Sequence, residues 1–377
     1  MRSRSVSATI LAVASIALLV GCAPLAAGLE PPATPTPVAT QEPPDPRLAL
    51  SLAALNASTD LSQPGCSAAV GIDGVVVWRG ARGLANLATG LQLNTQTRFD
   101  IASVSKQFTA SAILMLQREG KLSIADPVGT YISGLPAWGK TITLEQLMHH
   151  TSHVQDYWIQ LGRWGYGFGT PATQADALRA IAAVSKLDKG TGFLYSNSNY
   201  ILLAEVVQRV TGTTLPEFLS ERIFTPLGLD MEVGAGTQGP DIAVSYDDNN
   251  QVQVSGWAFY GPLGILTTPT ELVRWADQYR TGSIIGDDYL AGAVPSGTVG
   301  KDSEGAVYGA GVYQYRDGTL RHDGRVGGYV STLRVSADRH TAIAVMCDGH
   351  LSDRFGLATR LWKVWVDPKP ESTLQPE

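Results

Sequence analysis

Ser103-Val104-Ser105-Lys106-Gln107-Phe108-Thr109-Ala110-Ser111-Ala112-Ile113-Leu114-Met115-Leu116 is an apolar run without glycine or proline, and it predicts a buried helix that opens on Ser103. A serine placed there lies among free backbone N–H groups at the positive end of the helix dipole, where developing negative charge is favoured. Lys106 follows one helical turn later, so hydroxyl and amine share a face. Tyr195-Ser196-Asn197 comes next; its alternation across a loop or strand brings a phenol and an amide to one pocket. His322-Asp323-Gly324 stands just before a strand pattern, where a residue without a side chain lets substrate approach the backbone. The serine–lysine spacing alone arises about once by chance in a chain of this length. The three motifs in order are much harder to obtain by accident, and together they predict a serine acyl-transfer site, with Ser103 as nucleophile.

The chain has 377 residues, 44% of them hydrophobic and 16% charged, a globular composition long enough for one large or two small domains. Its formal net charge is −6, and Arg2 and Arg4 precede Cys22 with no acid beside them, so a chain starting at Cys22 is more acidic still. It has no basic stretch, which argues against a nucleic-acid partner.

Residues 1–21 are expected to form a signal peptide. Arg2 and Arg4 make the positive end and Ile10 to Val20 a short apolar core, too short to span a bilayer comfortably. The segment ends in Leu19-Val20-Gly21-Cys22, which resembles the lipobox of bacterial lipoproteins and implies acylation of Cys22; an ordinary cleavage after Ala23 is the alternative. Both imply export, and the first implies an extracytoplasmic protein anchored in a bacterial membrane by its N-terminal lipid. Residues 22–47, dense in Pro, Ala and Thr, read as a linker. The folded domain is expected over 48–366, with a polar tail at 367–377. Cys66 and Cys347 remain once Cys22 is set aside; an oxidising compartment invites a disulfide, yet sequence alone cannot pair residues so far apart.

Ser67 to Ile72 and Val75 to Arg79, joined by Asp73-Gly74, predict a hairpin. Helical patterns dominate from about 120 to 280. Gly328 to Val335 and Thr341 to Cys347 read as strands, and Asp353 to Val366 as a last helix. Strands at both ends and helices between predict an α+β fold whose sheet is built from the two termini.

These motifs resemble the serine β-lactamase and penicillin-binding-protein superfamily, in the branch of class C β-lactamases, D-Ala-D-Ala carboxypeptidases, D-aminopeptidases and esterases. Phe99-Asp100-Ile101-Ala102 before the serine, Leu147-Met148-His149-His150-Thr151-Ser152, Phe193 to Tyr200, Ile223-Phe224-Thr225-Pro226-Leu227-Gly228-Leu229 and His322 to Tyr329 carry the likeness over nearly the whole body. The resemblance implies a five-stranded antiparallel sheet, flanked by helices, with an inserted all-helical domain. It implies first and last strands paired in mid-sheet, which makes a Cys66–Cys347 disulfide plausible; two unpaired core thiols are the alternative. It further implies that Lys106 and Tyr195 share the acid–base work, that Asn197 orients the lysine and holds a substrate amide, and that the N–H groups of Ser103 and Arg325 catch the oxyanion. No cofactor or metal is called for. The substrates implied are small molecules, peptides or peptidoglycan fragments cleaved at an amide or ester; a class C-like β-lactamase and a non-turnover penicillin- or peptidoglycan-binding lipoprotein are the alternatives.

Two departures bear on substrate. His322 stands where class C enzymes typically carry lysine, and histidine is mostly neutral at pH 7. Asp323, if it reaches the cleft, repels an anionic terminus, with Arg325 as a possible offset; pointing away on the alternating strand is the other reading. The expectation is a preference for uncharged or amine-bearing esters and amides. Gly134 to Thr141 matches the phosphate-loop pattern, but Pro136 has no N–H and no convincing strand precedes it. His149 and His153 are spaced as metal ligands without a completing acid or cysteine, and His153 replaces the usual glycine of the family. Trp158, Trp164, Tyr166 and Phe168 read as an aromatic lip over the cleft or as ordinary loop packing.

Overall fold

Asp73 and Gly74 take the left-handed backbone an Asp-Gly turn favours, with φ of 52° and 77°, and they join strand β1 (Cys66–Ile72) to β2 (Val75–Arg82). A computed structural model describes residues 45–234, 236, 238–284, 306–349 and 354–367. The expected signal peptide, lipid anchor at Cys22 and most of the linker and tail lie outside the described residues. The folded body begins slightly ahead of residue 48: Asp45 caps helix α1 (Pro46–Asn56), accepting from the Arg47 N–H, with Pro46 in the first turn.

Late in the chain run β3 (Val307–Tyr308), β4 (Tyr313–Gln314), β5 (Leu320–Val326), β6 (Tyr329–Val335) and β7 (Thr341–Cys347). The sheet order is β3-β4-β5-β6-β7-β1-β2, antiparallel throughout. β1 and β7 pair from Cys66 opposite Cys347 to Ile72 opposite Thr341, and a disulfide joins the two cysteines. The sheet from both termini is therefore present, with seven strands rather than five. The additional β3 and β4 are two residues each, too short for any period to show in sequence.

Alternation divides the sheet into two faces. Cys66, Ala68, Val70, Val330, Ile343 and Val345 pack with α1 and helix α5 (Arg354–Trp365), and Trp365 donates its indole N–H to Ser51 Oγ at 2.8 Å. Ala69, Leu320, Leu333, Val335, Ala344 and Met346 join the larger core beneath helices α2 (Lys106–Arg118), α3 (Asn197–Thr211) and α4 (Pro269–Ala276). The inserted part is not wholly helical: Phe99–Asp100, Glu232–Val233 and Ile265–Thr267 form a small sheet, and Ala172–Thr173 pairs with Trp257–Ala258. These stretches of two or three residues satisfy loop backbone around helices that carry the core. At the phosphate-loop look-alike, Ala137–Lys140 is a tight 3-10 turn with Trp138 buried.

Candidate active site

The turn Ala102–Ser105 is 3-10, and α2 starts from its end. Ala102 is held at φ 49°, strained for a residue with a Cβ. Asp100 fixes it: Oδ1 accepts from the Ala102 N–H at 2.8 Å and the Gly264 N–H at 3.3 Å. The Ile101 carbonyl accepts from Ser331 Oγ at 2.7 Å. Ser103 thus stands partly exposed on a turn tied to both the small sheet and β6.

Lys106, fully buried in the first turn of α2, aims its ammonium back at that serine. Nζ donates to Ser103 Oγ at 3.1 Å, Asn197 Oδ1 at 2.8 Å and the Pro262 carbonyl at 3.0 Å. Three acceptors match its three protons. Burial pushes its pKa down from 10.5 to about 7, against the opposing pull of the Asp156 charge. Tyr195 shares a hydrogen bond with the Ser103 side chain, and burial drives its phenol well above 10.0. The two groups beside Ser103 are therefore an amine that gives up its proton near neutrality and a phenol that keeps it.

His150 sets the Tyr195 loop. Its carbonyl accepts from the Leu194 N–H at 2.8 Å and its Nδ1 from the Ser196 N–H at 3.2 Å. Its ring lies 4.2 Å from that of Tyr195. His150 and His153 both have positive φ, 56° and 59°; at His153 this is the backbone that the family's glycine adopts without strain. His149 Nδ1 contacts the Tyr308 carbonyl at 3.1 Å.

Asn197 opens α3. Its N–H and Nδ2 both donate to Asp156 Oδ2, at 2.8 and 2.9 Å. Asp156 escapes notice in the sequence because an Asp before a helix reads as a cap. Here it makes no cap bond with Tyr157–Arg163 and turns to Asn197 instead. The Pro262 carbonyl also carries no sequence signal.

The third motif lies within β5 rather than just before a strand. His322 and Gly324 share Leu320's face, toward α2, while Arg321 and Asp323 take the face under α5. Asp323 accepts from Arg321 at 2.6 Å on that far side, so it does not enter the cleft, and the repulsion expected from it falls away. Arg325 is exposed and shares Asp323's parity, so it provides no offset within the cleft. His322 is buried in the wall. Its Nδ1 lies 2.7 Å from the Asp323 carbonyl and therefore carries the proton, leaving Nε2 to accept from Tyr308 Oη at 3.0 Å. Burial lowers its pKa to about 4, so it is neutral at pH 7. Gly324 is needed for packing: a Cβ there would stand 2.3 Å from the Ile101 carbonyl oxygen. In the aromatic segment, Phe168 packs edge-on to Trp257 at 5.3 Å, whereas Trp158 and Trp164 are 53% and 39% exposed.

A serine, lysine and tyrosine bonded around one hydroxyl, on a helix set against an antiparallel sheet, define the serine-reactive class. The chain belongs to the Beta-lactamase family, whose model matches residues 53–364. It is 28% identical to a D-aminopeptidase of Brucella anthropi over 277 residues, 70% of this chain and 51% of that protein. It is 29% identical to penicillin-binding protein 4* of Bacillus subtilis (strain 168) over 159 residues, 42% of this chain and 35% of that one. The chain spans about half the length or less of these curated relatives. The crystal structure of D-amino acid amidase from Ochrobactrum anthropi SV3 complexed with D-phenylalanine superposes with a TM-score of 0.73 at 18% identity, covering 85% of this chain and 99% of that one. A D-stereospecific amidohydrolase from Streptomyces sp. gives 0.72 at 21% identity, covering 86% and 100%. At these identities the superpositions speak for the fold.

Proposed function

We propose that this chain hydrolyses amide or ester bonds through an acyl-enzyme on Ser103. The observation that carries the reading is the 3.1 Å hydrogen bond between Ser103 Oγ and Lys106 Nζ, an amine whose pKa is about 7. Neutral Lys106 takes the Ser103 proton as Oγ attacks the carbonyl carbon. The oxyanion is met by the N–H groups of Ser103 and Arg325. Tyr195, protonated at neutral pH, passes its proton to the departing nitrogen or oxygen and is reprotonated from Lys106. A water then attacks the ester, giving its proton along the same route, and Ser103 leaves with one. Asn197 holds Lys106 and a substrate amide.

The substrates favoured are D-amino-acid amides and peptides, cell-wall fragments and small esters. Support comes from the D-aminopeptidase relatives and from His322, which offers a neutral ring where a fixed cation would hold a carboxylate. The test compares kcat/KM for D-alanine p-nitroanilide, its L enantiomer, a neutral p-nitrophenyl ester and a cephalosporin. The D-amide or the ester should lead the cephalosporin by at least about ten-fold; a cephalosporin turned over as well as the ester contradicts this substrate reading.

The setting proposed is the outer side of a bacterial membrane, with Cys22 as the lipid anchor. The lipobox and the Cys66–Cys347 bond support it, since disulfides persist in oxidising compartments. Cys22→Ala should move the full chain from the detergent phase to the aqueous phase; unchanged partitioning removes the anchor.

A further inference from the structure

Asn197 presents its oxygen to Lys106 and its amide nitrogen to Asp156. Only this orientation works. The Lys106 ammonium only donates and a carboxylate only accepts, so in that charge state a flipped amide would face donor with donor and acceptor with acceptor. Without an acceptor at Asp156, the orientation would rest on one contact.

Asp156 is a costly residue to keep as mere structure. It is half-buried, with Oδ1 shut off from solvent, and desolvation raises its carboxyl above the usual range. It has given up the cap of the helix behind it. Oδ1 meets no hydrogen-bond partner of good geometry among the described residues, although the Trp158 N–H lies near enough to lower the carboxyl's pKa.

We propose that Asp156 is a positioning residue of this site: its carboxylate locks the Asn197 amide so that Oδ1 faces Lys106, and it is the counter-charge of that ammonium. The proposal rests on Lys106 being the base, as above. The groups that face Lys106 are Asp156, the neutral His150 and His322, and the rings of Tyr195 and Tyr200. Those that feel Asp156 are Lys106, Tyr157 and Tyr195. Asp156 is thus the acid whose field reaches the amine.

The test is a 13Cε-lysine NMR titration of the folded chain, with the Lys106 signal assigned by Lys106→Arg. Asp156→Asn keeps an acceptor for both Asn197 bonds and removes the charge. It should lower the Lys106 midpoint by on the order of one pH unit, carry the acid limb of kcat/KM down with it, and leave KM nearly unchanged. Asp156→Ala should also release Asn197 and lower kcat by a further factor of about ten. Should Asp156→Ala not fold, the near-isosteric Asp156→Asn carries the test. A Lys106 midpoint unmoved in folded Asp156→Asn overturns the inference. The titration needs no substrate, so a wild-type chain without turnover would refute the proposed function while leaving this test intact.

Discussion

Gly324 of β5 rests directly against the carbonyl of Ile101: an added Cβ would stand 2.3 Å from that oxygen and 2.4 Å from Ser331 Oγ, which donates to it. Strand and serine-bearing turn are therefore one packed unit, and the position of Ser103 depends on a missing side chain. Gly324→Ala must push the turn away or break the Ser331 bond. It should cost about 1–3 kcal/mol in urea unfolding and lower kcat by roughly a hundred-fold, the scale of an ångström's misplacement. Wild-type values for both would show that turn and strand are not coupled.

Cys66 and Cys347 close a loop of 281 residues across the middle of the sheet. Constraint of the unfolded chain should make the bond worth about 2–4 kcal/mol. Cys66→Ala with Cys347→Ala should lower the thermal midpoint by several degrees without altering kcat, because both cysteines lie on the sheet face away from Ser103. An unchanged midpoint, or no change in intact mass on reduction and alkylation, would remove the bond from the account.

His322 faces the same side of the sheet as Gly324 and is neutral. His322→Lys should shift preference toward substrates bearing a carboxylate, by roughly ten-fold in the ratio of kcat/KM values for an anionic and a neutral ester. A constant ratio would show that this position does not govern substrate charge.

Burial lowers the Lys106 pKa from 10.5 to about 7. Between those values the unfolded chain holds a proton that the folded chain has released, so Lys106 makes stability rise with pH across that window. Below it both states are charged and the full cost of burial remains. Lys106→Met should therefore gain most over wild type below about pH 7 and lose that advantage toward pH 10, as read from urea midpoints at several pH values. A difference independent of pH would place the lysine's pKa near its ordinary value.

Much of this was legible because local chemistry and tertiary role agreed. Asp73-Gly74 named its turn, the apolar run after Ser103 named its helix, and the β1–β7 pairing followed from the family resemblance. What was hidden depended on direction in space. Asp323 could be assigned a face only once β5 was seen to include it, since His-Asp-Gly carries no strand period of its own. Asp156 carries no signal of its own in the sequence, because its partner, Asn197, lies 41 residues away. The Pro262 carbonyl is backbone, and β3 and β4 are too brief to leave a pattern.

The central claim is that Ser103 carries the acyl group. An intact-mass time course of the full chain with a p-nitrophenyl ester of a D-amino acid, run beside Ser103→Ala, tests it most directly. The account predicts an adduct of the acyl mass in the wild-type chain, decaying with turnover, and none in the variant. The same adduct on Ser103→Ala, or turnover that survives the substitution, would contradict it.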